Sequence, residues 1–313
     1  MLPDMKARPR VAIVGAGNLG SALAVSLKRA GYVITAIVVR KGTKSIARAR
    51  RLAKEVGAKV LFDSSAVDSD IVWFCVPDSQ IASAAALFAR KVQRRGNVVF
   101  HSSGVFTSDE LDIFRSQEGA VASVHPLMTF VRGSRPSLVD VAFAVEGDRR
   151  AIRVAERIVR DLAGHAFPIR KKQKAAYHAW GVFTSPLVTA LLVTSEQVAN
   201  VAGVSGKAAR EKAIPILRQT LANYAEFGGA AGFSGPIVRG DLRTVRKHLQ
   251  VLQRRPVARD VYLALARAAL EYLPARDKRQ LRQVLVQEIG RGGRRSAGRG
   301  PGREGRRRSG SAL

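Results

Sequence analysis

Short apolar runs separated by longer amphipathic segments organise the first 170 residues. Runs at Val11 to Val14, Val33 to Val39, Val60 to Phe62, Ile71 to Val76, Val98 to His101 and Val121 to His125 have the length and β-branched content of strands. Helical spacing fills the gaps, as in Ser21 to Ala30, which stops at Gly31, a residue suited to the left-handed turn beyond a helix. Alternating strands and helices predict an α/β fold with a doubly wound, mostly parallel sheet, because parallel neighbours need a covering crossover between them. Two further runs, Ala142 to Val145 and Ala166 to Ile169, bracket a helical pattern from Arg149 to Ala163 that Gly164 closes. Beyond Lys171 the period is helical throughout, with segments at Gln173 to Gly181, Pro186 to Ala202, Ser205 to Glu226, Asp241 to Gln253 and Pro256 to Leu273. The pattern divides the chain into an α/β domain at 1–170, an all-α domain at 171–275, and a helical end with a Gly/Arg-rich tail at 276–313.

The first strand runs directly into a G-x-G-x-x-G at Gly15, Gly17 and Gly20. Gly15 permits the sharp strand-to-helix turn, Gly17 lets a pyrophosphate approach the backbone, and Gly20 lets the helix pack on the strand. The free N–H groups and positive dipole end of that helix favour phosphate. The motif reads as a dinucleotide site, with Asn18 and Leu19 among its contacts. After the second strand, where an acidic residue would hold the ribose hydroxyls of NAD, the chain has Arg40-Lys41-Gly-Thr43. A guanidinium matches a phosphate, so this loop favours the 2′-phosphate of NADP over NAD; the plainer alternative is surface charge in an arginine-rich chain.

Composition narrows the classes. The 313 residues, 46% hydrophobic, suffice for two cores. The longest weakly polar stretch, Ala179 to Val193, is shorter than a membrane span and contains Trp180, Ser185 and Pro186; no span is expected. The N-terminal apolar run is too short for a signal peptide, which points to the cytoplasm. The one cysteine, Cys75, lies in an apolar strand and reads as a small buried hydrophobe, and no metal site is expected. The net charge of +29 invites a polyanion. However, eight arginines against Glu304 concentrate part of it in the tail from Arg291 to Leu313, whose composition cannot build a core and reads as a disordered extension. Nucleic-acid binding through that tail is the minority reading.

In open α/β sheets ligands bind beyond the carboxyl ends of the strands. There the chain places Val76-Pro77, His101-Ser102-Ser103-Gly104 and His125-Pro126-Leu127. Val76, Pro77, Ser102 and Ser103 are expected to touch cofactor, and His101 to touch substrate. For His101 and His125 the alternative is a strand-end histidine bonded to backbone. Lys174 and His178 stand one helical turn apart, and with His125 they are the candidates for acid–base work; a solvated cationic turn is the alternative. Further on, Ser234 and Gly235 offer backbone donors and Arg239 a clamp for an anionic substrate group, unless the turn serves only to let Asp241 cap the next helix.

Taken together, Gly15-Ala-Gly-Asn-Leu-Gly20, Val76-Pro-Asp78, His101-Ser-Ser-Gly104, His125-Pro-Leu127, Lys174-Ala-Ala-Tyr-His178 and Gly235-Pro-Ile-Val-Arg-Gly-Asp241 carry a resemblance. From about Arg10 to Leu273 the chain resembles Rossmann-like proteins with an appended helical domain of unknown function, relatives of pyrroline-5-carboxylate reductase and of the 6-phosphogluconate dehydrogenase superfamily. The resemblance implies an NADP-binding domain, a helical dimerisation domain and oxidoreductase chemistry on a small keto or imino substrate held between the domains. Leu187, Leu191 and Val198 form the expected homodimer seam. Similar proteins often carry Ser-Asn where this chain has Ser185-Pro186, a departure that suits a second reading, a catalytically silent NADP sensor or scaffold.

Overall fold

A computed structural model describes residues 8–42, 45–62, 65–90 and 96–296, with side chains as far as residue 287. Its sheet has eight strands: β1 (Val11–Val14), β2 (Ile34–Val39), β3 (Lys59–Phe62), β4 (Ile71–Phe74), β5 (Val98–His101), β6 (Ala120–Pro126), β7 (Ala142–Gly147) and β8 (His165–Pro168). They lie in the order β3-β2-β1-β4-β5-β6-β7-β8. Helices α1 (Asn18–Arg29), α2 (Ile46–Val56), α3 (Ile81–Ala89) and α4 (Arg149–Asp161) make crossovers, and a 3-10 helix, Ser108–Gln117, links β5 to β6. The pairing is parallel except between β6 and β7, where Val124 faces Val145 in antiparallel register. The connection at 127–141 contains no helix, and without a crossover the returning strand can pair only in the opposite direction.

The central strands are apolar on both faces because both faces are covered. On one side Ile13, Trp73, Phe100 and Phe143 pack with residues of α1, α2 and α4. On the other, Val14, Val72 and Phe74 pack with Phe88 of α3 and with Phe114. Trp73, completely buried, meets Phe100 edge-on at 5.0 Å between ring centres.

The chain forms two compact units, Met1–Ser185 and Pro186–Leu313. The division falls beyond α5 (Lys174–Thr184) rather than near residue 170. The cause is the packing of α5: Lys174 and Tyr177 are buried, and both hydrogen-bond to residues of the sheet unit.

The second unit contains α6 (Pro186–Val201), α7 (Gly206–Gly232), α8 (Leu242–Leu252), α9 (Pro256–Tyr272) and α10 (Lys278–Ser296). Val245 and Leu249 of α8, Leu263 and Leu270 of α9, and Leu281 and Leu285 of α10 make its core. α7 breaks at Gly228, whose φ of 72° lies in the left-handed region that glycine tolerates. α10 reaches Ser296, so the first residues of the expected disordered tail are helical; the remainder lies outside the described residues.

The stretch Lys171–Val201 is long and apolar enough, by length and composition, to cross a membrane, although no span was expected there. It is broken at Ser185 (φ −132°, ψ −78°), and Pro186 opens the second piece. The pieces have 11 and 16 residues. At about 1.5 Å per residue, neither reaches the roughly 30 Å of a hydrocarbon core.

Candidate active site

The glycine turn is built as its spacing predicts. Gly15 has φ 109°, and a Cβ there would lie 2.6 Å from the Cys75 carbonyl oxygen. A Cβ on Gly20 would lie 2.0 Å from the Gly15 carbonyl oxygen, so only glycine lets α1 sit this close to β1. Gly17 caps α1 without any side-chain hydrogen bond, leaving the first N–H groups of the helix to a ligand. Beside the turn is a cavity of about 420 Å³ whose walls include Gly15, Gly17, Arg40, Val76 and Pro77. A bare helix N-terminus, a backbone clear of side chains and a cation at the rim fit a dinucleotide.

Leu19 is half-buried in the first turn of α1, and Arg40 and Lys41 are exposed beyond β2; Thr43 lies outside the described residues. Asn18 does more than its motif position suggests. Its amide nitrogen donates to the Phe130 carbonyl at 3.1 Å, and its carbonyl accepts from Arg48 of α2 at 3.3 Å. One side chain therefore joins the glycine turn to the loop after β6 and to a cation that the motif did not reveal.

A second cluster lies at the carboxyl ends of β5 and β6. His101 is fully buried. Its Nε2 donates to the Thr107 carbonyl at 2.9 Å and its Nδ1 accepts from the Ser103 N–H at 3.0 Å. With both nitrogens occupied, His101 anchors the loop, the backbone-bonded alternative to substrate contact. Burial lowers its pKa to about 4. Ser103 is also sealed: its hydroxyl accepts from the N–H groups of Val105 and Phe106. Ser102 accepts from the Trp73 indole N–H at 2.8 Å.

Lys174 is only 1% exposed. Its ammonium donates to the Ser103 carbonyl at 3.0 Å and to the Ser123 hydroxyl, so it braces the same loop from α5. Burial pulls its pKa down to about 8 against the fields of Glu146 and Asp78. Glu146 is itself buried and accepts from the N–H and hydroxyl of Ser108.

His125, Tyr177 and His178 meet around Gly104. The Tyr177 hydroxyl is 2.7 Å from His125 Nδ1, and the His125 and His178 rings meet edge to face at 6.2 Å. A Cβ on Gly104 would lie 2.6 Å from His178 Cδ2 and 2.9 Å from His125 Nε2, so only glycine lets the loop come this close to both imidazoles. Burial, then the charges of Lys174 and His178, lower the His125 pKa to about 4, keeping the ring neutral. Tyr177 was not singled out from the sequence; its position three residues after Lys174, on the same helical face, was the available signal.

The sequence-proposed residues Ser234, Gly235 and Arg239 belong to the second unit, in the turn before α8. Gly235 has φ 107°, and Ser234 and Arg239 are exposed. Asp241 caps α8, accepting from the Thr244 N–H at 3.0 Å and the Thr244 hydroxyl at 2.7 Å.

Residues 3–126 match the Rossmann-like domain family, and residues 141–269 match the Domain of unknown function (DUF2520). No curated protein matches the sequence. Among solved structures, a proposed NADP oxidoreductase from Bacteroides fragilis is 20% identical with TM-score 0.70, over 83% of this chain and 97% of that one. An imine reductase from Pseudomonas sp. is 22% identical with TM-score 0.60, over 84% and 94%. A pyrroline-5-carboxylate reductase from Coxiella burnetii is 14% identical with TM-score 0.56, over 85% and 98%. At these identities the likeness is one of fold. The chain is thus a Rossmann-like domain followed by a DUF2520 domain.

Proposed function

We propose that the protein is an NADP-dependent oxidoreductase acting on a small keto or imino substrate. The observation that carries this reading is the glycine turn, where a Cβ at Gly15 or Gly20 would strike backbone and Gly17 starts α1 without a side-chain cap, beside a cavity with Arg40 at its rim. The names of the fold relatives, a proposed NADP oxidoreductase, an imine reductase and a pyrroline-5-carboxylate reductase, support the cofactor and substrate class. Bound nicotinamide would supply or accept the hydride. Arg40 and Lys41 would hold the 2′-phosphate, and Val76 and Pro77, in the wall of the same cavity, would touch the cofactor. Lys174 and His101 fix the Ser102–Gly104 loop, which leaves His125 and His178 to meet the reacting group. His178, half-buried, is placed to exchange its proton with water and pass it to the substrate.

The silent-sensor reading rested on Pro186. That residue begins α6 just after the break at Ser185, where proline is well tolerated, so its presence has a structural reason. A homodimer belongs to the same proposal: α6 has no buried residue, and Leu187 and Leu191 of the expected seam are exposed.

The test is NADPH oxidation by the purified protein across small keto acids and cyclic imines. Turnover of at least one is expected, with His178→Ala lowering kcat about 100-fold or more and leaving NADPH affinity unchanged. Tight NADPH binding without turnover of any substrate would return the silent-binder reading.

A further inference from the structure

We infer that Tyr177 fixes His125 as its Nε2–H tautomer, making His125 a hydrogen-bond donor on the ring edge that faces Gly104. The use of that donor rests on the oxidoreductase reading; the tautomer does not.

The Tyr177 phenol has one hydrogen and two nearby acceptors, His125 Nδ1 at 2.7 Å and the His125 carbonyl oxygen at 3.5 Å. Only the first is within good hydrogen-bond distance, so the hydrogen goes to Nδ1 and that nitrogen serves as acceptor. Tyr177 is 7% exposed, and burial raises its pKa, so the phenol keeps this hydrogen. Edge-on contacts with Phe167 at 5.9 Å and Trp180 at 6.2 Å hold the ring in place.

A neutral imidazole has one N–H. With Nδ1 accepting, the hydrogen is on Nε2, which has no hydrogen-bond partner among the described residues. It faces Gly104, where any side chain would press on it. Besides Tyr177, the titratable groups around this ring are Lys174, His178 and His101, and burial together with the positive charge of Lys174 keeps it unprotonated.

A neutral N–H in that position suits a carbonyl oxygen or imine nitrogen, and it polarises such an acceptor as charge develops there. Tyr177 acts through His125, so it is a positioning residue. The substrate class follows: the reacting group presented here is a hydrogen-bond acceptor.

The test is long-range proton–nitrogen correlation on the full chain labelled with 15N-histidine at neutral pH, with the His125 signals assigned by their loss in His125→Gln. The expected wild-type spectrum has His125 protonated at Nε2 and bare at Nδ1. In Tyr177→Phe the two nitrogen shifts should move toward each other as the fixed tautomer becomes a mixture. A wild-type ring protonated at Nδ1, or a tautomer unchanged in Tyr177→Phe, would overturn the inference. Because neither spectrum requires NADPH or turnover, failure here leaves the oxidoreductase reading standing, and failure of that reading leaves this result intact.

Discussion

The two compact units treat apolar residues in opposite ways. In the first, β1 and β4 are buried along their whole length, and Trp73, Phe74 and Phe100 lie under helices. In the second, α8, α9 and α10 share a core, but α6 has no buried residue and α7 only Ala209. Leu221, Tyr224 and Phe227 of α7 are each more than half exposed. A parallel sheet completes its own burial through its crossovers. A helix pair has no such provision, and an exposed apolar area of this extent marks an interaction surface. The strands of the first unit are covered within the chain; in the proposed homodimer a second copy would cover α6 and α7.

The burial that underlies this contrast is tested most sharply inside the first unit, by removing the same residue type from a buried and from an exposed position. Trp73→Ala should cost about 3–5 kcal/mol and leave the sheet unit marginal in thermal or urea unfolding. Trp180→Ala, on α5 with half its surface exposed, should cost about 1 kcal/mol or less. Equal losses would show that exposure in the monomer does not describe the folded state in solution.

A charge on α7 probes the other side of the contrast. Leu221→Asp should weaken self-association about 100-fold in sedimentation equilibrium while the circular dichroism of the sheet unit is unchanged. A wild-type chain that sediments as a monomer at micromolar concentration would remove the homodimer.

The smallest effect is a pH dependence that belongs to the first unit. His101 has a folded pKa near 4 against about 6.5 unfolded. Below pH 6.5 the unfolded chain therefore binds the extra proton, so stability is full above that value and falls as the pH drops toward 4. The loss from His101 should be about 2 kcal/mol by pH 5, and His101→Gln should flatten that part of the profile.

The parts of this picture legible in the sequence are those set by local chemistry. The glycine spacing, the apolar strands and the helical second half follow from φ/ψ requirements and periodicity, which neighbouring residues decide. The reversed direction of β7 was not visible, because it depends on what the 127–141 connection fails to form. The allegiance of α5 was hidden for a related reason: Lys174 and Tyr177 look like one face of an ordinary helix until Ser103, Ser123 and His125 are brought beneath them. His101 and His125 read alike as strand-end histidines. Only tertiary contacts separate the first, with both nitrogens occupied, from the second, with Nε2 left open.

The central claim, a phosphate-reading dinucleotide site on the glycine turn, is tested most directly by titrating the purified protein with NADPH and with NADH and following nicotinamide fluorescence. The account predicts that NADPH binds at least tenfold more tightly than NADH and that Arg40→Ala removes most of the difference. Binding of neither nucleotide would contradict it.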